Sequence, residues 1–118
     1  MIDHVSVRVK DFGKAKQFYL AALGPLGYQL IADFGKAGGF GEGGKPDFWV
    51  GEREEVVSSH IAFAAKDRKA VDAFHQAAIA AGGKDNGKPG VREHYHKNYY
   101  AAFIYDLDGN NIEVVCHT

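Results

Sequence analysis

Asp3-His4-Val5-Ser6-Val7 returns 56 residues later as Ser59-His60-Ile61-Ala62-Phe63, and this recurrence decides the fold. The same offset pairs Lys10-Asp11 with Lys66-Asp67, Phe18 with Phe74, Ala21-Ala22-Leu23 with Ala77-Ala78-Ile79, and Gly27 with Gly83. Unlike residue types matching at one constant spacing, close to half the chain length, mark a doubled unit. The chain reads as a single domain over 1–118 made of two modules, about 1–51 and 58–118. The charged segment Glu52-Arg53-Glu54-Glu55 joins them.

Each module opens on an alternating segment, read as a strand because successive side chains face opposite sides. Val5, Val7 and Val9 share one face while His4, Ser6 and Arg8 share the other. In the second module Ile61 and Phe63 oppose His60, Ala62 and Ala64. Asp11 and Asp67 stand where helix N-caps belong, since their carboxylates accept from otherwise unpaired backbone N–H groups. Behind them Phe12, Ala15, Phe18, Tyr19, Ala22 and Leu23 recur at helical spacing, as do Val71, Phe74, Ala77, Ala78 and Ala81. Glycines near 24–27 and 82–83 close both helices. Further extended segments are expected at about Tyr28–Phe34, Ala37–Gly41 and Asp47–Gly51. In the second module they fall near Lys84, at Asn98–Tyr105 and at Asn111–Cys116, with a Gly/Pro loop at 87–90. Asp106-Leu107-Asp108-Gly109-Asn110, between two alternating runs, reads as a hairpin turn. The fold class is α+β, a βαβββ unit twice.

Composition excludes partners more firmly than it suggests any. Of 118 residues, 46% are hydrophobic and 25% charged, the balance of a globular chain. Folding a chain of this size buries roughly 65% of its surface, enough for a core without staples. Fourteen basic residues against fifteen acidic ones give a net charge of −1, no footprint for nucleic acid or an anionic membrane. No apolar stretch approaches the ~20 residues of a membrane span. The opening MIDHVSVRVKD lacks the apolar run of a signal peptide, and one cysteine, Cys116, makes no internal disulfide. A cytoplasmic protein is the expectation.

Gly39-Phe40-Gly41-Glu42-Gly43-Gly44 spells a dinucleotide-binding pattern, but a turn and strand follow where that motif needs a helix N-terminus. His4 and His60 carry more weight, because they hold equivalent places in the two modules and face away from the apolar stripe. Glu113 adds a carboxylate in the last strand, between core-facing Ile112 and Val114 and turned the other way. Two imidazoles and a carboxylate match the triad that holds Fe(II), Mn(II), Zn(II) or related ions. A metal-free polar cluster is the alternative on these residues alone.

The doubled βαβββ unit, His4, His60 and the ending Asp106-Leu107-Asp108-Gly109-Asn110-Asn111-Ile112-Glu113 resemble the vicinal oxygen chelate superfamily. That superfamily includes glyoxalase I, extradiol dioxygenases, fosfomycin-resistance enzymes and bleomycin-resistance proteins. The resemblance implies modules that curl into a cup-shaped, half-open barrel. It implies one divalent metal ion (Fe, Mn, Ni or Zn) held by His4, His60 and Glu113. It also implies a homodimer in which His4 comes from one chain and His60 with Glu113 from the other. One position departs from glyoxalase I, whose first module also ends on a carboxylate ligand. Aligning Gly44–Val50 under Gly109–Val115 sets Phe48 opposite Glu113.

Arg92-Glu93-His94-Tyr95-His96-Lys97-Asn98-Tyr99-Tyr100 is dense in groups that donate, accept or stack. His94 and His96 share a face if the strand is straight. With Tyr99 and Glu113 they are the candidate catalytic residues, since histidine serves as a base near neutral pH and tyrosine orients or protonates an oxyanion. The resulting expectation is a metal-dependent enzyme of lyase or isomerase type, whose small substrate chelates the metal through vicinal oxygens. The alternatives are a non-catalytic drug- or metabolite-binding protein with Trp49, Phe48, Phe40, Tyr99 and Tyr100 as aromatic walls, a fosfomycin-resistance-like transferase, or an extradiol-type dioxygenase.

Overall fold

The computed structural model describes residues 1–118. The first module runs β1 (Val5–Val9), α1 (Phe12–Leu23), a short 3-10 turn (Gly24–Leu26), β2 (Gln29–Asp33), β3 (Ala37–Gly41) and β4 (Phe48–Glu52). The second runs β5 (His60–Ala64), α2 (Arg68–Ala80), β6 (Lys84–Val91), β7 (Tyr100–Tyr105) and β8 (Asn111–Cys116). Their sheets have matching orders, β1-β4-β3-β2 and β5-β8-β7-β6, with the first strand of each parallel to the last. Neither sheet closes into a barrel.

The helices begin where the sequence puts them. Asp11 accepts from Lys14 N at 3.0 Å and Asp67 from Ala70 N at 2.8 Å, caps worth about 1 kcal/mol each. Alternation then decides which side of each sheet meets a helix. Val7, Val9, Phe40, Phe48 and Val50 join Phe63, Ala102, Ile104, Ile112 and Val114 in one core that also takes both helices. Phe48 of β4 and Phe63 of β5 meet edge to face, their ring centroids 5.0 Å apart. The helix-bearing sides of both modules therefore contribute to one core, and the other side of each sheet is left open. Ser6, Arg8, His60, Ala62 and Ala64 are exposed there.

A polar latch joins the modules. The Asp106 carboxylate accepts from Tyr19 OH, Asp108 N, Asn110 N and Asn110 Nδ2. Asn110, fully buried, also donates to the Arg8 carbonyl at 3.3 Å and accepts from Ser59 N at 2.8 Å. The expected hairpin turn is thus also the tie between β1 and β5. Burial together with the Asp106 charge raises the pKa of the Tyr19 phenol well above its ordinary value, so it stays a donor.

Four sequence expectations need correction. The 87–90 loop does not interrupt the sheet: β6 continues to Val91 by bulging at Gly87, whose φ of 152° suits glycine. Pro89 is tolerated because β6 is an edge strand. β7 starts at Tyr100 rather than Asn98, so His94 and His96 lie in a turn, not on a straight strand face. Phe40 and Phe48 belong to the core and Tyr100 turns toward Asp72, leaving only Trp49 and Tyr99 of the expected aromatic walls. Finally, Ser6 pairs with Trp49 as Ala62 pairs with Glu113, so the counterpart of Glu113 is Trp49, not Phe48.

Candidate active site

The open face of the second sheet carries the site. His60 leads β5, while Glu113 lies on β8 between Ala62 and Phe103 of the flanking strands. Glu113 is only 2% exposed, a depth at which a carboxylate needs partners. Two are present: His60 Nε2 lies 3.2 Å from Oε1, and the Tyr99 hydroxyl donates to Oε2.

The second ring nitrogen of His60 decides what Nε2 presents. Nδ1 lies 3.0 Å from the Asn111 carbonyl, which only accepts, so Nδ1 carries the hydrogen in that contact. Nε2 therefore offers Glu113 either a second N–H or, beside it, a lone pair for a cation. Phe103 lies nearly parallel to the imidazole, 19° apart at 6.3 Å between ring centroids. A backbone carbonyl on one nitrogen with the other nitrogen beside a carboxylate is how metal-bound imidazoles are commonly oriented. The donor set fits a divalent ion of the iron-to-zinc series, whose bonds to nitrogen and oxygen of roughly 2.0–2.2 Å suit donors about 3 Å apart. Two of the three sequence-derived ligands are thus together.

His4 is not with them. It lies on the first sheet's open side, its Nδ1 2.8 Å from Asp3 Oδ1, and no group of three His, Cys, Asp or Glu side chains in the chain converges on one point.

Tyr99 is joined to the site as expected. Burial first, then its bond to Glu113 and that residue's charge, push its phenol pKa up to about 12. Beyond it the rings continue outward, Tyr95 at 5.1 Å and His117 at 5.3 Å from Tyr99, with His96 5.8 Å from His117. His94 packs on Tyr95 at 4.2 Å and does not reach Glu113. The sequence reading missed His117 and Asn111. His117 sits at even spacing from Glu113, the signal for a shared strand face, whereas Asn111 acts through its backbone carbonyl, which side-chain spacing does not report.

A family model described as the Glyoxalase/Bleomycin resistance protein/Dioxygenase superfamily matches residues 1–114. The chain belongs to this superfamily. It is similar to a glyoxalase/bleomycin resistance protein from Albidiferax ferrireducens T118, at 30% identity over 97% of each chain with a TM-score of 0.86. A second similar structure is a glyoxalase/bleomycin resistance protein/dioxygenase family enzyme from Burkholderia phytofirmans PsJN. That match has 20% identity over 99% of this chain and 98% of that one, with a TM-score of 0.77. Lactoylglutathione lyase from Agrobacterium tumefaciens shares the fold at 19% identity and a TM-score of 0.73, over 98% of this chain and 92% of its own. A search among curated proteins finds no match. Superfamily members include enzymes such as that lyase and commonly use a divalent metal. No helix is long and apolar enough to cross a membrane.

Proposed function

We propose that this superfamily member is a metal-dependent enzyme of lyase or isomerase type, acting on a small substrate that chelates the metal through vicinal oxygens. The observation that carries this reading is a buried carboxylate, Glu113, in contact with an oriented imidazole, His60, on an open sheet face. His60 and Glu113 would hold one divalent ion (Fe, Mn, Ni or Zn), with His4 of a second copy completing the set in a homodimer. Such an ion, when bound, supplies Lewis-acid stabilisation of the anion that develops on a chelated oxygen.

The chain's own groups do the rest. The Asn111 carbonyl orients the His60 ring through Nδ1. Tyr99, protonated through the neutral range, occupies Oε2 of Glu113 and leaves Oε1 to hold the ion or, released from it, to take or return a proton. His117 packs on Tyr99 at 5.3 Å and His96 on His117 at 5.8 Å, a run of polar rings leading away from Glu113.

Elemental analysis tests it. After chelator treatment and reloading, the protein is expected to retain about one ion per chain. His60→Ala is expected to lose that ion, while Asp72→Ala, on the helix side of the second sheet, retains it. Equal metal content in wild type and His60→Ala overturns the ligand assignment. Binding of no ion by the wild type leaves ligand sequestration without catalysis as the function.

A further inference from the structure

We propose that the open face of the first sheet is a subsite for a small planar anion, an aromatic carboxylate in preference to other anions. β1 sets Ser6 and Arg8 on this face beside His4, and β4 adds Trp49 and, just past its end, Arg53. These residues line a cleft of about 520 Å³.

Two glycines shape it. A Cβ at Gly39 would come within 2.9 Å of two indole carbons of Trp49, so the bare backbone there is what lets the indole lie down on β3. A Cβ at Gly51 would stand 3.3 Å from Arg53 Nη1, so the guanidinium likewise lies against uncovered backbone. Arg53 Nη1 is anchored by the Glu52 carbonyl at 2.8 Å, which fixes the fork without neutralising it. Phe34 extends the wall. Its ring is 3° from parallel to the indole at 6.2 Å, yet Phe34 is 74% exposed and contributes nothing to the core.

The electrostatics single out the ligand. No carboxylate lines the cleft, and neither Arg8 nor Arg53 forms an ion pair. The chain as a whole carries −1, so two unpaired cations in one cleft do not follow from a basic composition. A guanidinium fork matches a carboxylate with two parallel hydrogen bonds, and aromatic faces reward a flat, conjugated ligand. A tetrahedral phosphate gains the charge but not the wall. A neutral arene gains the wall but not the charge. The subsite rests on the proposed function only in serving the same substrate, because anion binding here needs no metal.

Trp49 is the sole tryptophan, so its fluorescence reports occupancy directly. Chelator-treated protein is titrated with benzoate, cyclohexanecarboxylate, benzyl alcohol and inorganic phosphate, with calorimetry in parallel. Benzoate is expected to bind saturably and the other three roughly tenfold more weakly or worse. Arg8→Gln and Arg53→Gln, both at exposed positions, are each expected to weaken benzoate roughly tenfold, and Phe34→Ala by less. Benzyl alcohol or phosphate matching benzoate, benzoate binding unchanged in both arginine variants, or no benzoate binding by either method overturns the subsite. Because the protein is metal-free throughout, these outcomes are separate from a failure of His60 and Glu113 to hold an ion.

Discussion

In the second sheet Ala62 pairs with Glu113, two residues after His60; in the first, Ser6 pairs with Trp49, two residues after His4. The same backbone position thus carries a buried carboxylate in one module and an indole in the other. Around Glu113 the chain assembles hydrogen bonds to an imidazole ring and a phenol. Around Trp49 it assembles two unpaired guanidinium groups and a second aromatic ring. A duplicated unit therefore need not keep duplicated chemistry: helix, sheet order and core face are common, and the open faces are free to specialise. In the readings proposed above, one face serves an ion and proton transfer and the other recognition.

The turns that lead into β4 and β8 differ as sharply. Asp106 and Asn110 are buried and tie their turn to the other module, whereas Glu42, Gly43 and Gly44 are exposed. The largest expected effect follows from this. Asp106→Ala strands the Tyr19 hydroxyl, two backbone N–H groups and the Asn110 amide, and is expected to cost about 3–5 kcal/mol of stability. Urea unfolding measures it. A loss below about 1 kcal/mol would show that water replaces the carboxylate and that the latch is not what joins the modules.

Much of this architecture was legible in the sequence. The repeat, both aspartate caps and the outward turn of His60 and Glu113 follow from periodicity and capping chemistry, which depend on near neighbours. What was not legible depended on register. Sliding β8 over β4 by eye put Phe48 opposite Glu113, and a one-residue error exchanges a core phenylalanine for the indole of the open face. The bulges of β6 and the turn through Glu93–Asn98 were hidden for the same reason, since a glycine permits a bulge without demanding one. His4 was grouped with His60 because the repeat makes them equivalent. Equivalence in sequence places them on different sheets, and within the chain no three ligating side chains converge.

That separation gives the second test. If His4 of one copy completes the ligand set of another, His4→Ala and Glu113→Gln should each lose metal alone. Mixed and allowed to exchange subunits, they should recover roughly a quarter of wild-type sites, because half the dimers are mixed and one of their two sites is intact. No recovery in an exchanging mixture would break the cross-copy arrangement while leaving His60 and Glu113 untouched.

A third test concerns the phenol that only the second module has. With its folded pKa raised to about 12, Tyr99 favours the native state while neutral. The sign follows from linkage: a raised folded pKa gives stability that is fully present below the unfolded tyrosine value near 10 and is lost as pH rises through about 12. Glu113→Gln removes the charge that opposes phenolate formation. NMR titration of Tyr99 in that variant should show its pKa fall toward the ordinary value, and an unchanged value would leave burial as the whole cause.

The smallest expected effect lies in the first module's turn. Gly43 has φ of 71°, and a Cβ built there meets nothing within 4 Å, so crowding plays no part in Gly43→Ala. Only the left-handed backbone resists, a cost of about 1 kcal/mol against a small gain from stiffening the unfolded chain. Gly43 is exposed and a Cβ there touches nothing, so benzoate affinity and metal content should both stay at wild-type levels. If Gly43→Ala instead destabilised the protein as much as Asp106→Ala, the two turns would be equally integral. The contrast between an open turn and a latched one would then have to be abandoned.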